Sequence, residues 1–185
     1  MTRILSLFAS LLPAVALGVA CNAAHATTMV PLDLKGLTDR AEAVVAGRVT
    51  TTSAAWTPGH DAIYTDATLH VERVITGRIT VGEDIVVRRE GGSVDGVGMM
   101  VYGAPELVPG QEVVVFLEHR GPARYIVGMA QGKIDIATVG GRQQLRRNLS
   151  SVHFTRTPTV EEQALSHIDT VNQLEVAVRR FAAAK

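Results

Sequence analysis

Trp56, His60 and Tyr64 carry the ring chemistry most suited to recognising a ligand in this sequence, and they fall close together in the chain. Trp56 is the only tryptophan. An aromatic at a strand end stacks on a sugar ring or a partner's side chain, or else plugs the end of a small core. His60 sits beside Asp61 in a turn, and Tyr64 lies at the start of the following strand. These three are the candidate ligand-binding residues.

Other reactive residues form no site by spacing. His60, His70, His119, His153 and His167 share no strand-face or helical interval suited to one metal, and Cys21 is the only cysteine, so neither a metal nor a cofactor is expected. The acids form no alternating calcium loop. Gly128-Met129-Ala130-Gln131-Gly132-Lys133 has three residues between its glycines where a phosphate loop needs four, and Ile134 replaces the magnesium-binding Ser or Thr, which leaves a bend between strands. In Gly91-Gly92-Ser93-Val94-Asp95 an acid replaces the last glycine of a nucleophile elbow, so this reads as a flexible connection. A carboxylate pair for glycoside hydrolysis depends on spatial geometry, and no pair is singled out. Arg88-Arg89-Glu90 reads as a solvated strand end, and Arg142, Arg146 and Arg147 as a basic cluster on a wet loop. Lys plus Arg and Asp plus Glu both total 18, which argues against a nucleic-acid partner.

These residues must be positioned by one domain, since 185 residues fit a single domain with an N-terminal extension. Met1–Ala26 has the parts of a secretory signal: Arg3, an apolar Ile4–Ala20, and Ala24-His25-Ala26 as cleavage site. A secreted or periplasmic location follows, with no membrane span once the signal is removed. Cleavage after Ala26 also removes Cys21, leaving neither disulfide nor thiol. Lipidation at Cys21, after Leu17-Gly18-Val19-Ala20, is the alternative.

Strand signals are densest from Gly110 to Ile136. Val113–Leu117 and Tyr125–Met129 flank a turn at His119-Arg120-Gly121-Pro122, and Ile134 and Ile136 then alternate with Lys133 and Asp135 as a half-wet strand. Upstream, Leu34, Leu37 and Ala41 recur at helical spacing and predict a short helix that Gly36 interrupts. Val44 to about Trp56 reads as a strand, and Thr57-Pro58-Gly59-His60-Asp61 as a turn in which glycine takes any positive φ. Ile63, Thr65, Ala67, Leu69 and Val71 then share one face of a long strand, with a bulge near Arg73. Ile85-Val86-Val87 and Met99–Tyr102 read as further strands, and Gln143–Phe154 as a polar stretch without assigned structure. Thr159 and Glu162 have capping-box spacing ahead of Val160, Ala164, Ile168, Val171, Leu174, Val178 and Phe181, a helix that Asp169-Thr170 splits.

The residues Ala43–Val49, Trp56, Ile63–Thr65, Val71–Gly77, Gly91-Gly92, Gly110–Leu117, Tyr125–Gly128 and Gln131–Lys133 resemble a widespread family of exported bacterial proteins with no assigned activity. More distantly the succession is similar to netrin-like, or tissue-inhibitor-of-metalloproteinase-like, modules, which are OB-type barrels. The resemblance implies the barrel. It does not imply protease inhibition, which those modules achieve through a mature N-terminal cysteine where this chain has Thr27.

The expected fold is mainly β: a small antiparallel OB-like barrel, or a sandwich, with a short N-terminal helix and a C-terminal amphipathic helix. Residues 27–157 would form the barrel and 158–185 the helix packed on it. The expected function is a non-enzymatic binding or protein-interaction module with a protein or glycan partner. A hydrolase of envelope or extracellular polymer, or a structural lipoprotein anchored at Cys21, are the alternatives.

Overall fold

The computed structural model describes residues 28–184; the Met1–Ala26 segment, with Cys21, lies outside them. The described chain starts with a two-residue strand, β1 (Thr28–Met29), and the helix α1 (Leu34–Arg40). Asp33 caps that helix, its Oδ1 accepting from the Gly36 amide at 2.6 Å, while Leu34 and Leu37 are buried. Gly36 therefore lies within the first turn and does not interrupt the helix.

Two long strands follow, β2 (Ala43–Trp56) and β3 (Ile63–Thr76), paired antiparallel. The alternation holds along β3, where Ile63, Thr65, Ala67, Leu69 and Val71 are buried and Tyr64, Asp66, Thr68 and His70 are not. Register slips place extra residues at Glu72 and Ile75 on β3, on either side of Arg73 where a bulge is expected, and at Thr50 on β2. In the connecting turn the positive φ belongs to His60, at 54°, and not to Gly59. His60 N donates to the Thr57 carbonyl at 2.8 Å, which holds it there.

Strand β4 (Asp84–Glu90) runs back along β3, and a small hairpin of β5 (Gly92–Val94) and β6 (Val97–Met99) follows. Its turn is Asp95-Gly96, with φ of 51° and 79°, the positive pair a two-residue hairpin requires. The glycine-rich stretch is thus an ordered hairpin, and the strand expected over Met99–Tyr102 ends at Met99. Then come β7 (Glu112–Arg120) and β8 (Ala123–Ile126), joined at Gly121-Pro122, and a 3-10 turn at Met129–Gly132. The next hairpin pairs β9 (Lys133–Val139) with β10 (Arg142–Arg146) across Gly140-Gly141. Finally β11 (His153–Phe154) pairs in parallel with β1.

Mainly β in content, the fold has a sheet of seven strands in the order β10-β9-β7-β2-β3-β4-β8. Because β8 also pairs with β7, the hydrogen-bonding path through β7, β2, β3, β4 and β8 returns to its start. Every pair in that path is antiparallel except β4 with β8, which meet in parallel at Val87 and Arg124.

Two apolar clusters lie on either side of β2 and β7. Val45, Val49, Leu69, Val71, Ile85, Val87, Val113, Val115 and Leu117, with Ile126, form the inner one, to which every strand of that path contributes. Val44, Ala46, Val114 and Phe116 join Leu34, Leu37, Leu174 and Val178 in the other. The C-terminal region supplies a short α2 (Val160–Gln163), a 3-10 turn (Ala164–His167) and α3 (Val171–Ala182). The Thr159–Glu162 capping box is present, and a second one, Thr170 with Gln173, starts α3 and divides the region where Asp169-Thr170 suggests. Val160 is not on the apolar face; it is 79% exposed.

Gly47 marks the tightest strand approach: a Cβ there would overlap the His70 carbonyl oxygen and lie 3.0 Å from its carbon. Gly47→Ala is expected to lower unfolding free energy by about 3 kcal/mol, as overpacking does, measured by urea denaturation; a loss under about 1 kcal/mol would mean the strands part easily. Glu162 supplies a pH test. Arg156 above all, with the Thr159 amide, holds its carboxyl down to about 2, below the ordinary 4.5. A carboxyl depressed on folding stabilises fully above its ordinary value, and the contribution is lost as pH falls through about 2. Carbon-13 titration of Glu162 should give that low midpoint in the protein and a rise in Arg156→Ala; an ordinary midpoint in both would refute the pairing.

Candidate functional site

The hairpin that ends β2 and begins β3 carries all three expected ligand-binding residues, but not to one place. Trp56 and His60 stack, with ring centroids 5.7 Å apart and planes inclined at 26°. Thr57 Oγ1 donates to Asp61 Oδ1 at 2.5 Å and, as the chief cause, lowers that carboxyl's pKa. Residues opposed across two strands share a face. Trp56 opposes Ile63, whereas Tyr64 opposes Ala55, so Tyr64 lies on the other side of the sheet from Trp56.

Tyr64 belongs to a different arrangement. The Arg88 guanidinium lies 3.7 Å from its ring centroid and forks onto Asp66, with Nε to Oδ1 and Nη2 to Oδ2 both at 2.7 Å. Hydrogen bonding to Asp66 raises the Arg88 pKa further above its ordinary value. The expected solvated end at Arg88 is therefore corrected: a bidentate partner and an aromatic face hold the side chain half-buried.

An open site forms where the inward-facing register outruns the apolar residues. On β4, Ile85 and Val87 face the inner cluster, and the next residue of that face is Arg89, opposite the buried Thr65. On β9, Lys133 opposes Val115 and Asp135 opposes Val113, both in the same cluster. Lys133 is buried, not on the wet face its alternation suggests, and its Nζ reaches Asp135 Oδ1 at 2.6 Å. Arg89, Lys133 and Asp135 line a cleft of about 540 Å³.

The β5–β6 hairpin and the segment after it form the cleft's lip. Gly92 sits so close to Thr65, Ala54 and Ile63 that a Cβ would clash with the Thr65 hydroxyl, and Met99 Sδ accepts from Ile63 N at 3.2 Å. Met100 and Tyr102, at 80% and 48% exposed, line the opening, and Val97 and Val108 are exposed in the same stretch of chain. Two guanidinium nitrogens near this region are buried with no hydrogen-bond partner among the described residues: Nε of Arg89, a lining residue, and Nε of Arg147. Burial pushes Arg147 down to about 10, and its Nη2 donates to the Gln131 carbonyl at 3.0 Å. The expected wet basic cluster is thus divided: Arg142 and Arg146 are exposed, while Arg147 is not.

The cleft offers cationic donors at its floor and apolar groups at its lip. His153 is the lining imidazole, and no nucleophile is paired with it among the described residues. Among the described residues no three His, Cys, Asp or Glu side chains gather to hold a metal ion, and no helix is long and apolar enough to cross a membrane. Comparison with protein-family models and with curated protein sequences finds no match for this chain.

Removing one member of a buried ion pair strands the other, whereas replacing the buried cation by an apolar side chain removes the desolvation cost as well. Asp135→Ala is therefore expected to cost about 2 kcal/mol, less than a fully buried pair because Asp135 is partly exposed, and Lys133→Met less than about 1 kcal/mol. Chemical denaturation of the two variants checks the asymmetry; equal losses would contradict it.

Proposed function

We propose that the protein is an exported, non-catalytic interaction module that seats a partner protein on the cleft between the 97–108 segment and β9. The observation that carries this reading is the composition of the lip. Met100 and Tyr102 stand in solvent beside a concave surface with charged groups at its base. Adaptable thioethers and aromatic side chains with a polar tip are what interfaces favour at their centres. Ionisable groups do line this cleft, Arg89, Glu106, Lys133, Asp135 and His153, but a catalytic reading needs a nucleophile paired with a base, and among the described residues Lys133 and Asp135 are instead paired with each other.

Export rests on the basic, apolar and small-residue parts of Met1–Ala26. A secreted or periplasmic location is part of the proposal, as is membership of the exported family that the sequence resembles. The strand path through β7, β2, β3, β4 and β8 is proposed to be an OB-like barrel. Its return from β8 to β7, and the parallel β4–β8 contact in an otherwise antiparallel path, support that reading.

Affinity capture from the periplasmic or culture fraction, using the chain from Thr27 onward, tests the module. One stoichiometric protein is expected on the unaltered chain and none on a Met100→Ser, Tyr102→Ser variant with unchanged circular dichroism and urea midpoint. Retention of the same protein by the variant moves the interface elsewhere. Recovery of a glycan alone, or turnover of an offered polymer, would overturn the reading.

A further inference from the structure

We propose that a second cleft, beside the end of α1 and the turn after β3, binds a small amphiphilic anion, its carboxylate or phosphate held by Arg40, Arg78 and Arg124. This cleft lies at the other end of the strands from Met100 and Tyr102 and does not depend on the interaction-module reading. Its volume is about 570 Å³, within the range of small-molecule sites.

The charge of its wall carries the inference. Several arginines elsewhere in the chain meet carboxylates: Arg48 pairs with Glu72 and Glu112, Arg88 with Asp66, Arg120 with Glu118, and Arg156 with Glu162, while Arg89, Arg142, Arg146, Arg147 and Arg180 form no ion pair among the described residues and lie outside this cleft. Arg40, Arg78 and Arg124 form no ion pair among the described residues, and all three line this cleft. The one carboxylate in the wall, Glu42, is already engaged. Its Oε2 lies 2.5 Å from His119 Nδ1, and its Oε1 accepts from the His119 amide at 3.3 Å. Those bonds, with a smaller electrostatic contribution from Arg124, lower the Glu42 pKa, so it stays ionised and bound to His119. In a chain whose formal charges cancel, three uncommitted guanidinium groups around one concavity concentrate positive potential where an anion would enter.

The rest of the wall selects the kind of anion. Half-buried Ile79 and Ala41, with the buried Leu117 and Ala43 behind them, give it an apolar surface that inorganic phosphate would leave uncovered. Gly77 shapes this side: at φ 102° it lets the turn close on Ala43, so that a Cβ would come 2.5 Å from the Ala43 Cβ. The concavity is too small for a folded partner and suits a short acyl or alkyl chain with a charged head. Carboxylate and phosphate both match the guanidinium fork, and the measurement separates them.

Isothermal titration of the purified protein with decanoate, decyl phosphate, decanol and inorganic phosphate, each below micellar concentration, tests the proposal. At least one decyl anion is expected to bind at a single site about tenfold or more tighter than decanol and inorganic phosphate, which is the scale of one charge-assisted hydrogen bond. Decanoate alone would assign a carboxylate ligand, and decyl phosphate alone a phosphate. Arg78→Gln with Arg124→Gln should weaken that binding about tenfold or more. Should that variant unfold, Arg40→Gln, on the exposed surface of α1, should give a smaller loss in the same direction. Neither anion surpassing decanol, or undiminished binding by the folded variants, would overturn the proposal.

Discussion

From Val113 to Leu117 strand β7 has no wet face. Val113, Val114, Val115, Phe116 and Leu117 are each at most 1% exposed. A strand turns successive side chains to opposite sides, so five consecutive dry residues require a complete apolar layer on each. Val113, Val115 and Leu117 meet the inner cluster; Val114 and Phe116 meet the layer that α1 and α3 supply. Each such side chain is worth about 2 kcal/mol when both layers are in place. The backbone is held with equal economy of space: β2 pairs along one edge, while β9 and β8 divide the other.

The clefts arise where this arrangement gives out at the strand ends. Inward positions that would carry valine farther along become Arg89, Lys133 and Asp135, and charge faces inward beside an apolar interior. Lys133 and Asp135 are bonded to each other, whereas Arg89 keeps a buried N–H without a partner among the described residues. At the other end, Leu117 finishes the inner face of β7, and His119, two residues on, binds Glu42 and leaves the nearby arginines uncommitted. The ends are therefore chemically different. One joins buried charge to exposed Met100 and Tyr102, and the other joins exposed charge to half-buried Ile79 and Ala41.

Local pattern made much of the fold legible. The two-residue period of Ile63 to Val71 and the Thr159–Glu162 box each depend on neighbours in sequence and are found, while the turn expected at His119-Arg120-Gly121-Pro122 narrows to Gly121-Pro122 because β7 runs on through Arg120. Strand β10 was hidden because Arg142-Gln143-Gln144-Leu145-Arg146 is a polar edge with one apolar residue, held by pairing to β9 and not by a buried face of its own. The Asp95-Gly96 hairpin was present in the sequence but masked by the glycines around it. The candidate site was much less legible. Arg88 looks solvated until Asp66, 22 residues away, is brought opposite it. Trp56 and Tyr64 look adjacent until the six-residue connection sets Trp56 against Ile63 and so sends Tyr64 to the other face. Extending the Ile85, Val87 alternation by one step would have marked Arg89 as inward-facing.

The double burial of β7 also bears on the chain while it is being made. Its outer face belongs to a cluster completed by Leu174 and Val178, which emerge from the ribosome long after Phe116. Until then Val113-Val114-Val115-Phe116-Leu117 is an uncharged, strongly β-forming run with one side uncovered. Runs of that kind dock readily on copies of themselves. The interval between making this strand and making its helical cover is when the nascent polypeptide is most exposed to aggregation, and α3 is the element that ends it.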